Sequence, residues 1–279
     1  MIFSGTLPAT RVAVEFYDAG FLTFGRATMG GMAALVTLVL MQRRFPRDHV
    51  KPLLFAGIML VFGFPAFTTI AMTSVPSAHG GVVLGILPLA TAIFSVILAG
   101  ERPSPLFWIC GVIGSLLIVF FALRDGGWSL QWGDLWLAAA VIAASSGYVV
   151  SGKLSQIMPG WEVICWALVL CLPPSIIATI WFWNHDYLSA PTPQFLTFLY
   201  VGLGSMFLGF FAWNTGLQLG GIARIGQLQL LQTFFTLAIA ALVLGESVPI
   251  ETWGFAIAVL LVILVGRKAR ISTINSSDK

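Results

Sequence analysis

The sequence predicts an all-α integral membrane protein of ten spanning helices, on three observations. Hydrophobic residues make up 58% of the 279-residue chain and charged residues 9%, too little polar surface to cover a water-soluble globule. Four long stretches, 53–78, 80–100, 103–123 and 187–223, contain no Asp, Glu, Lys or Arg. Apolar runs of this kind follow one another almost end to end, and about 20 helical residues at about 1.5 Å each cross a hydrocarbon core of about 30 Å. In lipid the backbone has to satisfy its own hydrogen bonds, which leaves helix bundles and closed barrels. Barrel strands alternate apolar and polar over about ten residues, and these runs do not.

The expected spans are Ile2–Phe16, Gly20–Met41, Leu53–Ser74, Gly80–Gly100, Pro105–Leu123, Leu135–Ser151, Val163–Phe182, Phe195–Gln218, Ile222–Leu244 and Ile250–Gly266. The first is short and contains Pro8; it is either a partial helix or a helix in whose interior the chain starts. A basic n-region and a small-residue cleavage site are missing, which argues against a signal peptide.

Charge sets the orientation. Arg43, Arg44, Arg47 and Lys51 crowd one short loop, and Arg267, Lys268 and Arg270 follow the last span. Arg102 and Lys153 fall in loops of the same parity, whereas the opposite loops hold Arg11 and Arg124 beside Asp18, Asp125, Asp134 and Asp186. The positive-inside rule places both termini in the cytoplasm of a bacterial-type inner membrane, and ten spans satisfy that parity. The net charge of +3 is therefore a membrane-side signal and implies no nucleic-acid partner. Trp128, Trp132, Trp136, Trp181, Trp183 and Trp253 fall at one predicted interface and Trp108 and Trp161 at the other, an anchoring aromatic belt. Cys110, Cys165 and Cys171 are odd in number and lack metal-ligand spacing, so they are packing residues and no metal site is predicted.

The chain also repeats itself. A shift of 145 residues lays Gly100-Glu101 over Gly245-Glu246, Gly57 over Gly202, Phe62 over Phe207 and His79 over Arg224. Each Gly-Glu is followed by a proline, Pro103 or Pro249, and a final apolar span. Five spans per half is an odd number, so the second half (134–270) enters the membrane inverted relative to the first (1–133), and 271–279 is a cytoplasmic tail. Inverted repeats of this kind are characteristic of secondary transporters with a midplane site at the repeat interface; a channel or scaffold is the alternative.

On these residues the chain resembles the EamA-type branch of the drug/metabolite transporter superfamily. The matching features are the Gly100-Glu101 and Gly245-Glu246 turns, mid-helix Pro88, Arg11 and Lys153 ending the first and sixth spans, and Arg26 inside the second. The resemblance implies ten helices in two inverted five-helix repeats and a cavity lined mainly by spans three, four, eight and nine. The Phe- and Trp-rich version with His79 is most similar to YddG-type exporters of aromatic amino acids. Two features depart: Phe3-Ser4 stands where the family opens with Trp-Gly, and Thr233 stands where the first repeat has Pro88.

All eleven acidic residues lie in loops or within about a turn of a span end, so no midplane carboxylate offers a proton or sodium relay. Glu101 and Glu246 precede helix N-termini, where carboxylates accept orphan N–H groups. His79 begins span four beside Gly80-Gly81; it is either a satisfied polar contact or a group that gates protonation or binds a substrate carboxylate. Gln229, Gln232, Thr233 and Thr236 form one polar face of span nine while Gln227 points elsewhere, and interhelical bonding competes with cavity lining as the reason. Trp213-Asn214, Trp166 and Tyr148 lie within spans, and an aromatic wall with a few amides suits a flat amphiphilic solute. Arg26, the one intramembrane charge, is expected to snorkel outward or pair with Glu15 or Asp18, a structural role preferred to contact with substrate. Gly147–Lys153 fits G-x-x-x-x-G-K, but Leu154 replaces the required hydroxyl residue, so no phosphate cradle is expected.

These readings converge on a transporter without cofactor or catalytic residue. It is expected to export small amphiphilic metabolites, most of all aromatic or apolar amino acids, as a monomer or weak homodimer; an exporter of other solutes, such as nucleobases or cationic drugs, or a non-saturating channel is the alternative. Candidate substrate contacts are His79, Trp213, Asn214, Gln227, Gln232, Trp166 and Tyr148. Gly63, Pro65, Gly80, Gly81, Pro88 and Gly209 are candidate bends, and Glu101 and Glu246 are structural caps.

Overall fold

In the computed structural model, residues 2–126, 132–244, 250–266, 269 and 271–273 are described, and among them the helices fall into ten columns at the predicted places. The first column is a 3-10 turn, Ile2–Gly5, running into α1 (Thr6–Ala13). The second is α2 (Ala19–Leu40), started by Asp18, whose carboxylate accepts from the Gly20 and Phe21 amides. The third joins α3 (Val50–Gly57) to α4 (Phe64–Met72) through a π-helical segment, Ile58–Gly63. The fourth joins α5 (Ser77–Val83) to α6 (Leu87–Ala99) through a 3-10 turn, Leu84–Ile86. Then come the uninterrupted α7 (Pro105–Gly126), α8 (Trp132–Leu154) and α9 (Gly160–Trp181). The eighth column is α10 (Thr192–Leu199), a second π segment, Tyr200–Leu208, and α11 (Gly209–Gly220). The ninth is α12 (Ile222–Gln227) and α13 (Gln229–Leu244), and the tenth is α14 (Ile250–Gly266).

The interruptions recur at the spacing of the sequence repeat. Ser77 and Ile222, the first residues of α5 and α12, occupy matched positions, and so do the two π segments. A π segment replaces the regular bonds to the fourth residue with bonds to the fifth, which widens the turn and breaks the α-helical register. Here each sits just before an expected bend, Pro65 in one column and Gly209 in the other. Pro88 follows the 3-10 turn of the fourth column in the same way.

Many hydroxyls inside the columns bond back to their own helix, as with Thr37 to Ala33, Ser146 to Ile142 and Ser175 to Cys171. That arrangement removes a donor that lipid has no means to satisfy. α2 and α9 form the most extensive helix pair. α3 also approaches α9 closely, because a Cβ on Gly57 would stand 2.7 Å from Cys171 Sγ and 3.0 Å from the Ala167 carbonyl. Small residues permit such contact where no hydrophobic effect drives helices together. The three cysteines are free and buried, as packing residues. Trp132 and Trp181 are exposed beyond 80% or at it, in keeping with interfacial anchors.

Each contact between column ends joins ends that ten alternating crossings bring to one side. At one end the Arg11 guanidinium donates to the Met72 carbonyl, the Asp18 amide to the Tyr187 hydroxyl, and His79 meets Asp134. At the other, Lys153 donates to the Leu98 carbonyl, Gln156 to Gln218, Arg224 to Ala269, and Arg43 faces Glu162 at 3.7 Å.

Two expectations need correction. Glu101 does not cap the helix that follows it; its two oxygens accept from the Ile222 and Ala223 amides, both at 3.0 Å, at the start of the ninth column. The Gly100 αL cap, at φ 67°, turns the chain back so that the carboxylate reaches that neighbour. The tail is not wholly separate: Ile271–Thr273 pairs antiparallel with Glu101–Pro103, with Thr273 opposite Glu101. Strands of three residues carry no periodicity by which a sequence announces them. Glu246 and Trp128 lie outside the described residues, and the side chains of Thr233 and Trp253 outside the described ones.

Replacing Glu101 by Ala orphans two buried amides and is expected to cost about 2 kcal/mol. Glu101→Gln, which keeps one acceptor, should cost about half as much by the same reasoning. Melting temperatures in detergent test the ranking.

Candidate functional site: a central chamber

Seven columns converge on one small chamber of about 20 Å³. Phe3, Thr6 and Leu7 reach it from the first column and Arg26 from the second. Leu60 and Phe64 come from the third, Leu84 from the fourth and Tyr148 from the sixth. Ser205, Met206 and Phe210 complete it from the eighth column, with Gln232 from the ninth. The four columns expected to line a cavity all contribute, but the guanidinium and the Tyr148 and Phe3 rings come from columns outside that set. A second pocket of about 10 Å³ shares Leu7, Leu84 and Gln232 and adds Gly81, Gln229 and Thr236. A larger cavity of about 360 Å³ adjoins the chamber at Phe3 and is lined by Trp213, Gly209, Ile225 and Leu228 among others.

The wall is aromatic. Phe3 meets Phe210 edge-on at 5.1 Å and Trp213 at 6.0 Å, and Tyr148 lies 5.1 Å from Trp213 and 6.1 Å from Phe210. Rings in such tilted arrays offer an apolar face with directional preference. The Trp213 indole N–H is buried without an acceptor. Polar groups are few. Thr6 and Ser205 hydroxyls bond each other at 2.7 Å across the first and eighth columns. Gln229 has neither amide atom bonded.

Arg26 departs most from expectation. It is 2% exposed, so it does not snorkel. Asp18 is committed to its N-cap, and among the described residues no carboxylate pairs with Arg26. Its Nε and Nη1 have no hydrogen-bond partner. The sequence reading missed it as a site residue, although a lone intramembrane charge was the available signal.

The remaining candidates divide. Tyr148 and Gln232 line the chamber and Trp213 the adjoining cavity. The polar face of α13 turns inward, with Gln229, Gln232 and Thr236 in one pocket. Asn214 is wholly buried with both amide atoms engaged: its amide oxygen accepts from Ser151 and its amide nitrogen donates to the Gly160 carbonyl, each at 3.0 Å. Trp166 bonds Glu162 and packs edge-on against Phe45, away from the chamber. Gln227 lies beside Gly266, where the tenth column ends. His79 has the partner that sequence alone did not show: its Nε2 stands 2.5 Å from Asp134 Oδ1, at one end of the bundle. Gly80 and Gly81 beside it pack tightly, a Cβ on either meeting Met72 Cε at 2.6 Å or Thr236 Cγ2 at 3.2 Å. Gly147–Lys153 is continuous helix and its lysine is bonded to Leu98, so no phosphate cradle forms.

A bundle of membrane-crossing helices around a central chamber, with charged contacts at both ends, is the architecture of a solute transporter. The chain belongs to the EamA-like transporter family, which matches residues 1–124 and again 131–266. It is 43% identical over 270 residues to the uncharacterized transporter YdeK of Bacillus subtilis, across 96% of this chain and 94% of that protein. A probable terminal-alkyne amino-acid exporter of Streptantibioticus cattleyicolor is 24% identical, across 95% and 90%. The aromatic amino acid exporter YddG of Ancylobacter novellus is 27% identical over 178 residues, 62% of this chain and 60% of that one. A solved crystal structure matches the fold with a TM-score of 0.72 at 21% identity, covering 96% and 97% of the two chains.

The His79–Asp134 contact joins the start of the fourth column to the start of the sixth. A double-mutant cycle of His79→Ala and Asp134→Ala is expected to give a coupling of roughly 0.5–1 kcal/mol for this partly exposed pair, falling at high salt. Thermal unfolding in detergent at low and high ionic strength measures it.

Proposed function

We propose that this protein exports small amphiphilic metabolites, foremost aromatic and other apolar amino acids, across a bacterial inner membrane by alternating access. The observation that carries this is the chamber lining: rings from Phe3, Phe64, Tyr148 and Phe210 beside a few polar groups, at the meeting point of columns from both halves. Flat apolar side chains gain contact with such rings, while the polar end of a solute needs the few donors and acceptors. The names of the two amino-acid exporters among the relatives support the same substrate class.

In this reading 1–133 and 134–270 are the two inverted repeats, and both termini face the cytoplasm. The Glu101–Ile222 contact then closes the cytoplasmic side and the His79–Asp134 contact the outer side. The halves rock about the two π segments and the Pro65, Pro88 and Gly209 bends, where the backbone ladder is already interrupted. None of the residues lining the chamber is acidic, so proton coupling runs through His79 or transport is uncoupled. Alternating exposure of a midplane site requires these two end contacts to open in turn while the halves rock about the middle.

Uptake of labelled tryptophan, phenylalanine and threonine into proteoliposomes, with and without a pH gradient, tests the function. Saturable aromatic uptake well above that of threonine, indifferent to the gradient, is expected. A gradient-dependent rate that His79→Gln abolishes would assign coupling to His79. No aromatic uptake above empty liposomes would remove amino acids as the substrate class, and flux rising linearly with concentration would mark a channel.

A further inference from the structure

We propose that Arg26 is the anchor for the substrate's carboxylate, so that the solute carried by this protein is an anion or zwitterion at its polar end. This rests on the amino-acid reading above and adds which atoms recognise the amino acid.

A guanidinium stays charged even when buried. Leaving it without a counter-charge in a low-dielectric interior costs several kcal/mol. Arg26 is in that position: 2% exposed, with Nε and Nη1 unbonded and no acidic residue among those lining the chamber. A structural arginine in a helix bundle holds something together, by pairing with a carboxylate or clamping carbonyls. Arg26 makes no such bond among the described residues, whereas Arg11 donates to Met72 and Arg224 to Ala269. The unmet valence belongs to an occupant.

The free donors say what the occupant offers. A carboxylate binds a guanidinium side-on through Nε or end-on through the two terminal nitrogens, with two parallel hydrogen bonds. With Nε and Nη1 both free, each of these faces retains a donor. Phe3 borders both this chamber and the larger cavity that Trp213 lines, so a carboxylate at Arg26 leaves the rest of a small solute beside those two rings. The adjoining pocket holds Gln229, whose amide is 4% exposed with neither atom bonded, and Gln232, which borders both spaces. These amides supply acceptors for an α-ammonium group next to the carboxylate. A chamber of about 20 Å³ has room for little beyond a water-sized group. The solute's body therefore needs the adjoining 360 Å³ cavity, reached by displacing the Phe3 ring that borders both.

The test compares three solutes that share a phenyl ring: phenylalanine, 3-phenylpropionate (carboxylate, no amine) and phenethylamine (amine, no carboxylate). In wild-type protein, 3-phenylpropionate should inhibit phenylalanine uptake and raise the melting temperature in detergent, and phenethylamine should do neither. Arg26→Gln should raise KM for phenylalanine at least about tenfold, the loss expected of a charge-assisted pair. It should also erase inhibition by 3-phenylpropionate, while melting without ligand no lower than wild type, because an unpaired charge has been removed. Arg26→Lys should restore part of the affinity. A wild-type KM in Arg26→Gln, or equal protection of wild type by phenethylamine and 3-phenylpropionate, overturns the proposal. If Arg26→Gln fails to fold, the proposal fails in its claim of no structural role, unless 3-phenylpropionate alone of the two single-ended solutes still stabilises wild type. Should wild type take up no amino acid yet be stabilised by 3-phenylpropionate and not by phenethylamine, the amino-acid reading falls and the carboxylate anchor stands.

Discussion

A hydrocarbon medium offers a polar group nothing to bond to, and the organisation of this protein follows from that constraint. Among the described residues, backbone groups close on themselves in ten helical columns, and several hydroxyls, those of Thr68, Ser146 and Ser175 among them, bond back to carbonyls of their own helix. Charged side chains collect at the two ends, where water supplies what the protein does not. Even there the important ones are used. The Glu101 carboxylate takes two amides at the start of α12 that would otherwise be orphaned, and its site is nearly closed to water. This contact ties the loop after the fourth column to the ninth, between halves of the chain that are far apart in sequence.

Where the constraint is relaxed, the relaxation is local and matched between the halves. The π segments of the third and eighth columns and the breaks of the fourth and ninth interrupt the helical ladder near the middle of the bundle. Irregular backbone at membrane depth survives only when protein or a water-filled cavity surrounds it, and these segments border the central chamber through Leu60, Leu84, Ser205 and Met206.

The column positions were legible in the sequence because hydropathy is a property of each segment alone. So was the burial of the three cysteines, and the helix interruptions of the third, fourth and eighth columns fall beside Pro65, Pro88 and Gly209. What escaped was pairing across the chain. His79 looked partnerless because Asp134 is 55 residues away, and Glu101 looked like a local cap because its amides are 121 and 122 residues away. Asn214 looked available for a solute because Ser151 and Gly160, which engage both of its amide atoms, lie on other helices. Arg26 was misjudged in the opposite direction. A guanidinium close to a span end has ready partners in Asp18 and Glu15 on paper. Only the folded chain has Asp18 capping its own helix and Arg26 inside the bundle.

A ligand shifts a conformational equilibrium only by the difference between its affinities for the two states. A cavity lined by rings alone supplies only the extra apolar area that closure removes from water, at about 25 cal/mol per Å². An unpaired guanidinium supplies a large difference. While the chamber is open to water, Arg26 is hydrated and a carboxylate gains little by replacing that water. Once it is closed, the same charge is costly when alone and strongly favourable when paired, because attraction grows as the dielectric falls. On the proposed carboxylate anchor, closure is costly for the empty protein and favoured around an anionic solute. The charge that ordinary packing leaves unsatisfied would then be the element by which occupancy and conformational state are linked.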